Sequence, residues 1–492
     1  MSQTNSLSKK VVIIGAGFSS LSAACYLANA GFDVTVVEKN EYSGGRARQL
    51  KKDGFTFDMG PTFYWMPDVF EKFFSDFKRS VSDFYQLEKL NPAYTVYFED
   101  DSQISIADNI NDIFKTFESN EKGSSKQLAK FLKVAEDNYN IAVKDLVYKP
   151  GESLSEIITP TTITKLSAFV DTIKKQVGRQ FKNNKLKKIL EFPVLFLGAK
   201  PSTTPSFYNF MNHADFNLGT WHPKGGMFEV AQAIHSLAID LGVKFKYNSP
   251  VQSINIHDKQ VKSVTSKHEN IECDILLSGA DYHHTEKLLP NELRQYSEAY
   301  WGKKTFAPSS LLFYVGFDKK IDNVDHHTLF FDVDFEAHAE SIYDTKEWPS
   351  EPLFYASFPS KTDDTCAPLE KEAGIFLIPL APGIEDTQVI RDQYFEIILS
   401  RLEKRTKQNI RSHVLFKESY CINDFVSDYN SYKGNAYGLA NTLTQTHVLR
   451  PKLKSKKVKN LYFTGQLTVP GPGVPPSLIS GKVVSTLINK YH

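Results

Sequence analysis

Two glycines and an acid near the N-terminus have the spacing needed to hold the pyrophosphate and ribose of a dinucleotide. Gly15 and Gly17 follow an apolar run, and Glu38 lies 23 residues after Gly15. Gly15 allows a tight turn, whereas Gly17 lets the backbone approach a phosphate without an intervening Cβ. A carboxylate at position 38 can accept hydrogen bonds from ribose hydroxyls. We expect Glu38 and its neighbour Lys39 to contact such a ligand.

A strand–turn–helix–strand unit must position these residues. The run 10–14 is rich in β-branched residues, the pattern of a buried parallel strand. Apolar residues then recur at helical spacing from Leu21 to Ala28, Gly31 is a natural helix stop, and 34–37 has the pattern of a second strand.

The start of the predicted helix supplies the positive end that a phosphate needs. Phe18 and Ser19 follow the second glycine, and free N–H groups in the first helical turn would point at the ligand. Ser20 stands where this fingerprint usually has Gly or Ala, a position that brings helix and strand close together. Serine is small enough to keep that packing.

A second glycine segment favours FAD over NAD. Gly44, Gly45 and Arg46 follow the second strand by a few residues, and Gly60 and Pro61 come shortly after them. This segment resembles the second signature of the glutathione-reductase-like flavoproteins, in which the glycines form a close loop and the arginine approaches the cofactor.

Two later segments complete the expected FAD site. Val251 follows Pro250 at the start of a predicted strand, where its backbone could meet the adenine, and Asp281 ends the strand-to-turn segment 275–281. A strand at 460–465 leads into a loop and a closing helix, whose first amides would face the flavin pyrimidine. The residues expected to contact FAD there are Gly465, Gln466, Gly473, Val474 and Pro475.

Composition excludes several classes of function. The 492 residues carry a formal net charge of +1, which gives no reason to expect nucleic-acid binding. Four cysteines lie far apart and form no metal-ligand spacing, and the pairs His283-His284 and His326-His327 favour structural roles, so no metal is expected. No apolar run approaches the roughly 18 residues that a spanning helix needs.

The patterns predict an α/β fold in which a Rossmann-like FAD-binding domain of glutathione-reductase type contains an inserted α+β substrate domain. The FAD domain is expected to comprise residues 9–68, 222–284 and 455–492. Residues 69–221, rich in helical patterns, and 285–454, rich in strands, would form the substrate-binding, membrane-facing domain. The polar strip 118–125 reads as an exposed loop, and 192–199 as a buried strand or short helix.

Several segments together resemble the carotenoid desaturase family within the amine-oxidase-like superfamily. They are GGRARQLKKDGFTFDMGPT (44–62), TWHPKGGM (220–227), SGADYHHTE (278–286), TLTQTHVLRP (442–451) and NLYFTGQLTVPGPGVPPSLISGK (460–482). The resemblance implies FAD-dependent dehydrogenation of a long, water-insoluble polyene such as phytoene, with hydride passing to the flavin and a proton to a base or solvent. It further implies a quinone or oxygen as electron acceptor and peripheral attachment to the cytoplasmic face of the membrane. The oligomeric state stays open.

The resemblance also raises Glu156 as a candidate acid or base near the substrate channel. A capping box from Ser153 to Glu156 is the alternative that we favour. The aromatic cluster Phe63 to Pro67, with Phe70, Phe73 and Phe74, could line a polyene tunnel, rest on a bilayer or pack in the core.

Four other functions remain open at this stage. One is desaturation of a modified carotene, for example a 1-hydroxycarotenoid 3,4-desaturase. A carotenoid isomerase would use reduced FAD without net oxidation. A flavin amine oxidase is disfavoured by the C-terminal segment, and a non-enzymatic lipid chaperone like the Rab GDP-dissociation inhibitors is disfavoured because both flavin loops are present.

Overall fold

The protein is described by a computed structural model that covers residues 8–144, 146–156, 158, 168, 170–267 and 269–492. A parallel sheet carries the N-terminal glycine turn, and a second, mixed sheet contributes much of the wall of the same central cavity. None of the described helices is both long and apolar enough to cross a bilayer.

The parallel sheet brings together strands from three distant parts of the chain. In spatial order its strands are Leu461–Phe463, Ile275–Ser278, Lys10–Ile14, Asp33–Val37 and Lys244–Lys246. All neighbours run parallel, with Val11 paired to Ile275 on one side and Val34 on the other. Val11, Val12 and Ile13 are at most 1% exposed, because a parallel strand is covered on both faces. The predicted strand–turn–helix–strand unit and the α/β fold are confirmed.

The mixed sheet joins the two segments that were expected to form the substrate domain. Its order is Val414–Tyr420, Ser309–Phe317, Glu372–Leu380, Phe354–Ser357, His327–Phe331, Tyr94–Phe98 and Gln103–Ile106. Neighbours are antiparallel except for His327–Phe331 with Tyr94–Phe98. The sequence indicated mainly helices in residues 69–221, yet that segment supplies two strands of this sheet.

Smaller ribbons and helices complete the described structure. The further strands are Val251–His257, Gln260–Ser266 and Asn270–Glu272; Gln49–Lys52 and Phe55–Asp58; and Leu87–Lys89 with Trp221–Pro223. The α-helices are Phe18–Asn29, Pro67–Ser75, Ile110–Asn120, Ser124–Lys144, Ile173–Gln180, Asn184–Glu191, Phe210–His213, Met227–Asp240, Tyr282–Lys287, Glu298–Gly302, Phe335–Tyr343, Gln388–Thr406, Ile422–Tyr429 and Val474–Tyr491.

The structure corrects one local prediction and decides between the alternatives of another. The strip 118–125 is not a loop throughout: its ends belong to two helices, and only residues 121–123 connect them. The Glu118 carboxylate accepts hydrogen bonds from Gly123 N and Ser125 N, which explains why polar residues end and begin these helices. The apolar run 192–199, expected to be a buried strand or a short helix, forms a 3-10 helix over Phe192–Leu197, so the helical alternative is confirmed.

Ser20 keeps its helix close to the sheet because a glycine faces it. A Cβ placed on Gly279 would overlap the Ser20 hydroxyl, with the Thr464 methyl 3.4 Å away on the same side. Ser20 is fully buried, and its hydroxyl has no hydrogen-bond partner among the described residues. The fingerprint usually has its small residue on the helix. Here the small residue is Gly279, at the end of the adjoining strand.

This exchange predicts a reciprocal rescue. We expect Gly279→Ala to lower the free energy of unfolding by about 1–3 kcal/mol, because the added methyl group overpacks the contact. Adding Ser20→Gly should recover most of that loss, whereas Ser20→Gly alone should change stability much less. Chemical denaturation of the four proteins of this double-mutant cycle measures the coupling. Equal losses for Gly279→Ala with and without Ser20→Gly would contradict the proposed contact.

Candidate functional site

The N-terminal turn is built from two glycine segments in contact. Gly15 has φ +88°, a conformation that favours glycine. Gly44 N donates a hydrogen bond to Ala16 O at 2.8 Å, and a Cβ on Gly45 would lie 3.1 Å from Gly17 Cα. A Cβ on Gly17 would meet nothing within 4 Å. The turn is therefore held on one side and open on the other, as a bound pyrophosphate requires.

The helix that follows this turn has an uncapped start. Gly17 is its N-cap residue and provides no side-chain hydrogen bond to the first turn of Phe18–Asn29. Phe18 and Ser19 line the central cavity. An uncapped helix start that faces a cavity presents free N–H groups and the positive end of the helix dipole, which suits a phosphate.

Glu38 and Lys39 lie at the end of the second strand and line the same cavity. The Glu38 carboxylate accepts hydrogen bonds from Ala16 N at 2.7 Å and Asn40 N at 2.8 Å. Burial raises the pKa of Glu38, an effect that these two amides oppose. Each carboxylate oxygen has a second lone pair, so Glu38 can still accept hydrogen bonds from a pair of ribose hydroxyls.

Arg46 extends from the second glycine segment along the cavity wall. Its guanidinium donates to Ser431 Oγ and lies 4.9 Å from the centre of the Tyr429 ring. Burial lowers the pKa of Arg46, whereas Tyr429 and Asp281 favour its charged form. Its Nε has no partner among the described residues, which leaves a donor for a ligand.

Gly60 lies directly against this segment, since a Cβ there would overlap Arg46 O. Pro61 follows it, and both residues line the cavity. Val251 and Asp281 line it from the other side. The Asp281 carboxylate accepts hydrogen bonds from His284 N and Tyr432 N, both at 3.2 Å, so it also fixes the wall around it.

The C-terminal loop forms the far wall. Gly465, Gly471 and Gly473 all have positive φ, which turns the chain sharply before the helix Val474–Tyr491. Gly473 is the N-cap residue of that helix, and it provides no side-chain hydrogen bond to the first turn. A second uncapped helix start therefore faces the cavity.

One cavity of about 1150 Å³ connects these elements. Of the residues expected to contact FAD, only Ser20 does not line it. Ser20 instead packs beneath the turn against Gly279. The residues that line it are Gly15, Gly17, Phe18, Ser19, Glu38, Lys39, Gly44, Gly45, Arg46, Gly60, Pro61, Val251, Asp281, Gly465, Gln466, Gly473, Val474 and Pro475.

Beyond the glycine segments the same cavity becomes apolar. Strands of the mixed sheet and the segment 192–211 contribute this part of the wall. Its lining includes Phe192, Leu195, Phe207, Phe210, Met211, Leu312, Leu329, Phe331, Phe335, Ile342, Leu353, Phe354 and Leu377. We call this part the apolar chamber; its surface suits a hydrocarbon.

The aromatic cluster near position 65 divides between chamber and core. Phe63, Trp65 and Met66 line the cavity, whereas Phe70, Phe73 and Phe74 are at most 3% exposed and pack in the core. Helical geometry explains the division, because the chain before Pro67 runs along the wall and the helix Pro67–Ser75 turns its apolar face inward.

A short chain of hydrogen-bonded polar side chains lies on the wall of the apolar chamber, and no sequence pattern indicated it. The Tyr355 hydroxyl is hydrogen-bonded to Thr62 Oγ1 at 2.8 Å and to His327 Nδ1 at 2.7 Å. Thr62 and Tyr355 line the cavity. Burial holds the pKa of His327 well below its usual range, so the imidazole is neutral and adds no charge to the chamber.

Glu156 lies beside the cavity without lining it. Its carboxylate accepts hydrogen bonds from Gly151 N and Glu152 N at 2.8 Å and from Ser153 N at 3.0 Å. These contacts match the capping role that the sequence favoured. His447 does line the cavity, and its Nε2 lies 3.5 Å from a Glu156 oxygen.

The histidine pairs have hydrogen-bonded roles. His283 Nε2 pairs with the Glu298 carboxylate at 3.0 Å, and His326 Nδ1 with Thr362 Oγ1 at 2.9 Å. Elsewhere, His222, Asp363 and Cys366 place potential ligand atoms within 4.8 Å of one another. Asp363 already accepts hydrogen bonds there from His222 and from the Gly225 and Thr365 amides, so it serves this network.

Sequence reasoning also missed the contacts behind the C-terminal loop. Arg450 donates to Gln466 O at 3.2 Å and to Leu439 O at 2.9 Å, and Asn441, which lines the cavity, accepts from the same guanidinium. The segment 442–451 stood out only for its resemblance to a family. No local pattern marks Arg450, because its partners lie elsewhere in the chain.

Comparison with known sequences agrees with this geometry. Residues 18–489 match the family described as flavin containing amine oxidoreductase. A carotenoid 3,4-desaturase of Haloarcula japonica is 39% identical, with 96% of each chain covered. A 4,4'-diapophytoene desaturase of Staphylococcus haemolyticus is 32% identical over 96% of this chain and 97% of the relative. A zeta-carotene-forming phytoene desaturase of Myxococcus xanthus is 30% identical over 97% and 93%.

Solved structures share the fold at low sequence identity. An oxidoreductase from Methanosarcina mazei aligns with a TM-score of 0.64 at 17% identity, covering 97% of this chain and all of that one. Putrescine oxidase aligns with a TM-score of 0.63 at 13% identity, covering 98% and 99%. The chain belongs to the flavin-containing amine oxidoreductases and, within them, to the carotenoid desaturases.

Proposed function

We propose that the protein uses FAD to introduce C=C bonds into a long acyclic polyene such as phytoene. FAD is its cofactor, in keeping with the flavin-containing family. The single observation that carries the proposal is the continuity of the cavity, which passes from two glycine segments and two uncapped helix starts into the apolar chamber. When bound, FAD accepts a hydride from an allylic carbon, and the remaining requirements are positioning and the exclusion of water.

The residues around the glycine turn would hold the nucleotide half of the cofactor. The N–H groups of the helix start Phe18–Asn29 suit the pyrophosphate, Glu38 the ribose and Arg46 the inner part of the ligand. Val251 and Asp281 would close the adenine side, and the loop 465–476 would face the ring. The glycines support this assignment, because side chains at Gly17 or Gly45 would occupy the space of the ligand or of the opposing segment.

The apolar chamber would hold the polyene and keep it from water. Aromatic and aliphatic side chains form most of its wall, and burial lowers the pKa of His338 on that wall to about 4, which keeps it uncharged at neutral pH. Transfer of a hydrocarbon chain from water into such a chamber is favourable because its apolar surface is removed from water.

Removing the Glu38 carboxylate tests the cofactor site. We expect Glu38→Gln to weaken FAD binding by roughly tenfold to a hundredfold, since charged hydrogen bonds to the ribose are lost. Titration of apoprotein with FAD, followed by flavin fluorescence, measures the affinity. Glu41→Gln is the matched control, because Glu41 is an exposed carboxylate that does not line the cavity. Unchanged FAD affinity in Glu38→Gln would remove Glu38 from the site.

Expression in a host that accumulates phytoene tests the substrate. Colourless phytoene should be converted to coloured products with longer conjugation, which chromatography and absorption spectra of the extract identify. Leu377→Trp should abolish most of this conversion while retaining FAD, because the indole fills the apolar chamber. Leu415→Trp, at an exposed position, should behave as wild type. A colourless extract from cells that contain holoprotein would contradict phytoene as substrate.

The same assay separates two roles of Glu156. Its three hydrogen bonds to backbone amides favour a capping role, so Glu156→Gln should retain conversion of phytoene. Loss of conversion in a folded, FAD-loaded Glu156→Gln protein would instead support the acid or base role.

Desaturation of a hydroxylated carotene is the second candidate. The relative from Haloarcula japonica is named a carotenoid 3,4-desaturase, and the Thr62–Tyr355–His327 chain offers a hydroxyl partner within the apolar chamber. Supplying the host with a 1-hydroxylated acyclic carotenoid tests this function. Preferred conversion of that substrate, reduced in Tyr355→Phe, would favour it over phytoene desaturation.

A water-insoluble substrate requires delivery from a lipid phase, so we propose peripheral attachment to the cytoplasmic face of the membrane. Three exposed apolar side chains support this attachment: Leu154, Ile158 and Val170 are 58%, 62% and 78% exposed, and Ile158 lines the cavity. A quinone in that membrane, or oxygen, would reoxidise the cofactor. Exposed apolar side chains bind a lipid interface through the area they bury.

Liposome flotation measures this attachment. Wild type should float with vesicles of bacterial lipid composition, and Leu154→Glu with Val170→Glu should lower the floated fraction severalfold by placing charge at the interface. Leu369→Glu with Val389→Glu changes two other exposed apolar positions, 88% and 67% exposed, and should float normally. Equal flotation of both double variants would contradict the proposed surface.

A further inference from the structure

Arg450 is a buried cation that has no carboxylate partner among the described residues. The side chain is 2% exposed, and its guanidinium hydrogen bonds go to Leu439 O, Gln466 O and Asn441 Oδ1, all of them neutral. Its Nε has no partner among the described residues. Burial lowers the pKa of Arg450 to about 10, so the group still carries its charge at neutral pH.

Two other arginines whose side chains are largely buried, Arg391 and Arg405, pair with carboxylates. Arg391 pairs with Asp386 at 2.6 Å and with Asp424 at 2.8 Å, and Arg405 pairs with Asp332 at 2.9 Å. Taking a charge out of water is unfavourable unless an opposite charge lies close to it. Arg450 therefore occupies an environment that would gain stability from a negative charge nearby.

The guanidinium lies directly behind the cavity wall. Its Nη2 is 3.1 Å from the position that a Cβ would take on Gly471, in the C-terminal loop. Asn441 and Gln466, which accept its hydrogen bonds, both line the cavity. One layer of neutral groups separates the charge from the space beside the loop. The uncapped start of Val474–Tyr491 faces the same space and adds positive potential.

We propose that Arg450 supplies the counter-charge for the reduced flavin ring. This inference rests on the proposed placement of the ring beside the loop 465–476. Uptake of a hydride adds two electrons and one proton, and the ring then carries one negative charge. Arg450 stabilises that charge across the loop, so the protein binds reduced FAD more tightly than oxidised FAD. Arg450 is thus a positioning residue that acts through Asn441 and the loop, without touching the substrate.

The midpoint potential of bound FAD tests this role. In the full-length holoprotein, equilibrated anaerobically with a reference dye, we expect reduced FAD to be favoured at least tenfold relative to free FAD, which is about 30 mV for a two-electron couple. Arg450→Gln and Arg450→Met should lose at least tenfold of that preference. Arg450→Lys retains the charge and should stay within about threefold of wild type.

Arg391→Met is the matched control. It removes a buried arginine that has its own carboxylates and does not line the cavity, so it should lower thermal stability and leave the potential unchanged. A purely structural Arg450 would likewise change stability or FAD occupancy without changing the potential.

Two results would overturn the proposal: a wild-type potential at or below that of free FAD, or an Arg450→Gln potential equal to wild type. If the neutral variants fail to retain FAD, the wild-type potential relative to that of free FAD still tests the proposal. The titration uses no carotenoid, so its outcome is independent of the substrate assay.

Discussion

Backbone contact between glycines holds the cavity wall together where distant parts of the chain meet. Gly45 lies against Gly17, Gly60 against the Arg46 carbonyl, and a Cβ on Gly15 would lie 3.4 Å from Ala280 N. Side chains at these positions would separate the first strand from the second glycine segment and from the strand end at 278–280. The open side of the turn, the depth of the cavity and the direction of Arg46 all depend on this close approach.

Charge is distributed unevenly along that cavity, and this distribution suits the proposed chemistry. Charged or strongly polar groups gather near the glycine turn and behind the C-terminal loop, where Glu38, Arg46, Asp281 and Arg450 lie. In the apolar chamber, burial lowers the pKa of His338 to about 4 and holds that of His327 well below its usual range. A polyene in the chamber would therefore meet mainly apolar side chains, and Lys200, a charged residue that also lines the cavity, is paired with Asp344.

The sequence predicted the nucleotide half of this arrangement because its signals are local. A β-branched run, a glycine turn and an acid at the next strand end lie within 29 residues, and the structure has each element there. The substrate half depends on contacts between distant residues. Tyr94–Phe98 pairs with His327–Phe331 across more than two hundred residues, and the contacts of Arg450 and Tyr355 likewise join separate segments. No periodicity encodes such partners. For the same reason the sequence showed Ser20 only as a departure from the fingerprint and did not reveal its contact with Gly279.

Packing between two helices links the nucleotide half to the ring half. Ser22 Oγ of the helix Phe18–Asn29 donates to Leu478 O of Val474–Tyr491 at 2.8 Å, and a Cβ on Gly481 would lie 2.5 Å from Ser19 O. Both helix starts line the one cavity. Because these backbones are in contact, neither positive helix end can shift without the other, and the spacing between them is fixed by the fold. A cofactor can place its phosphates at one helix start and its reducible ring at the other only if the distance between these two groups matches the spacing of the helix starts. The contact between the helices therefore helps to select the cofactor as well as to hold it.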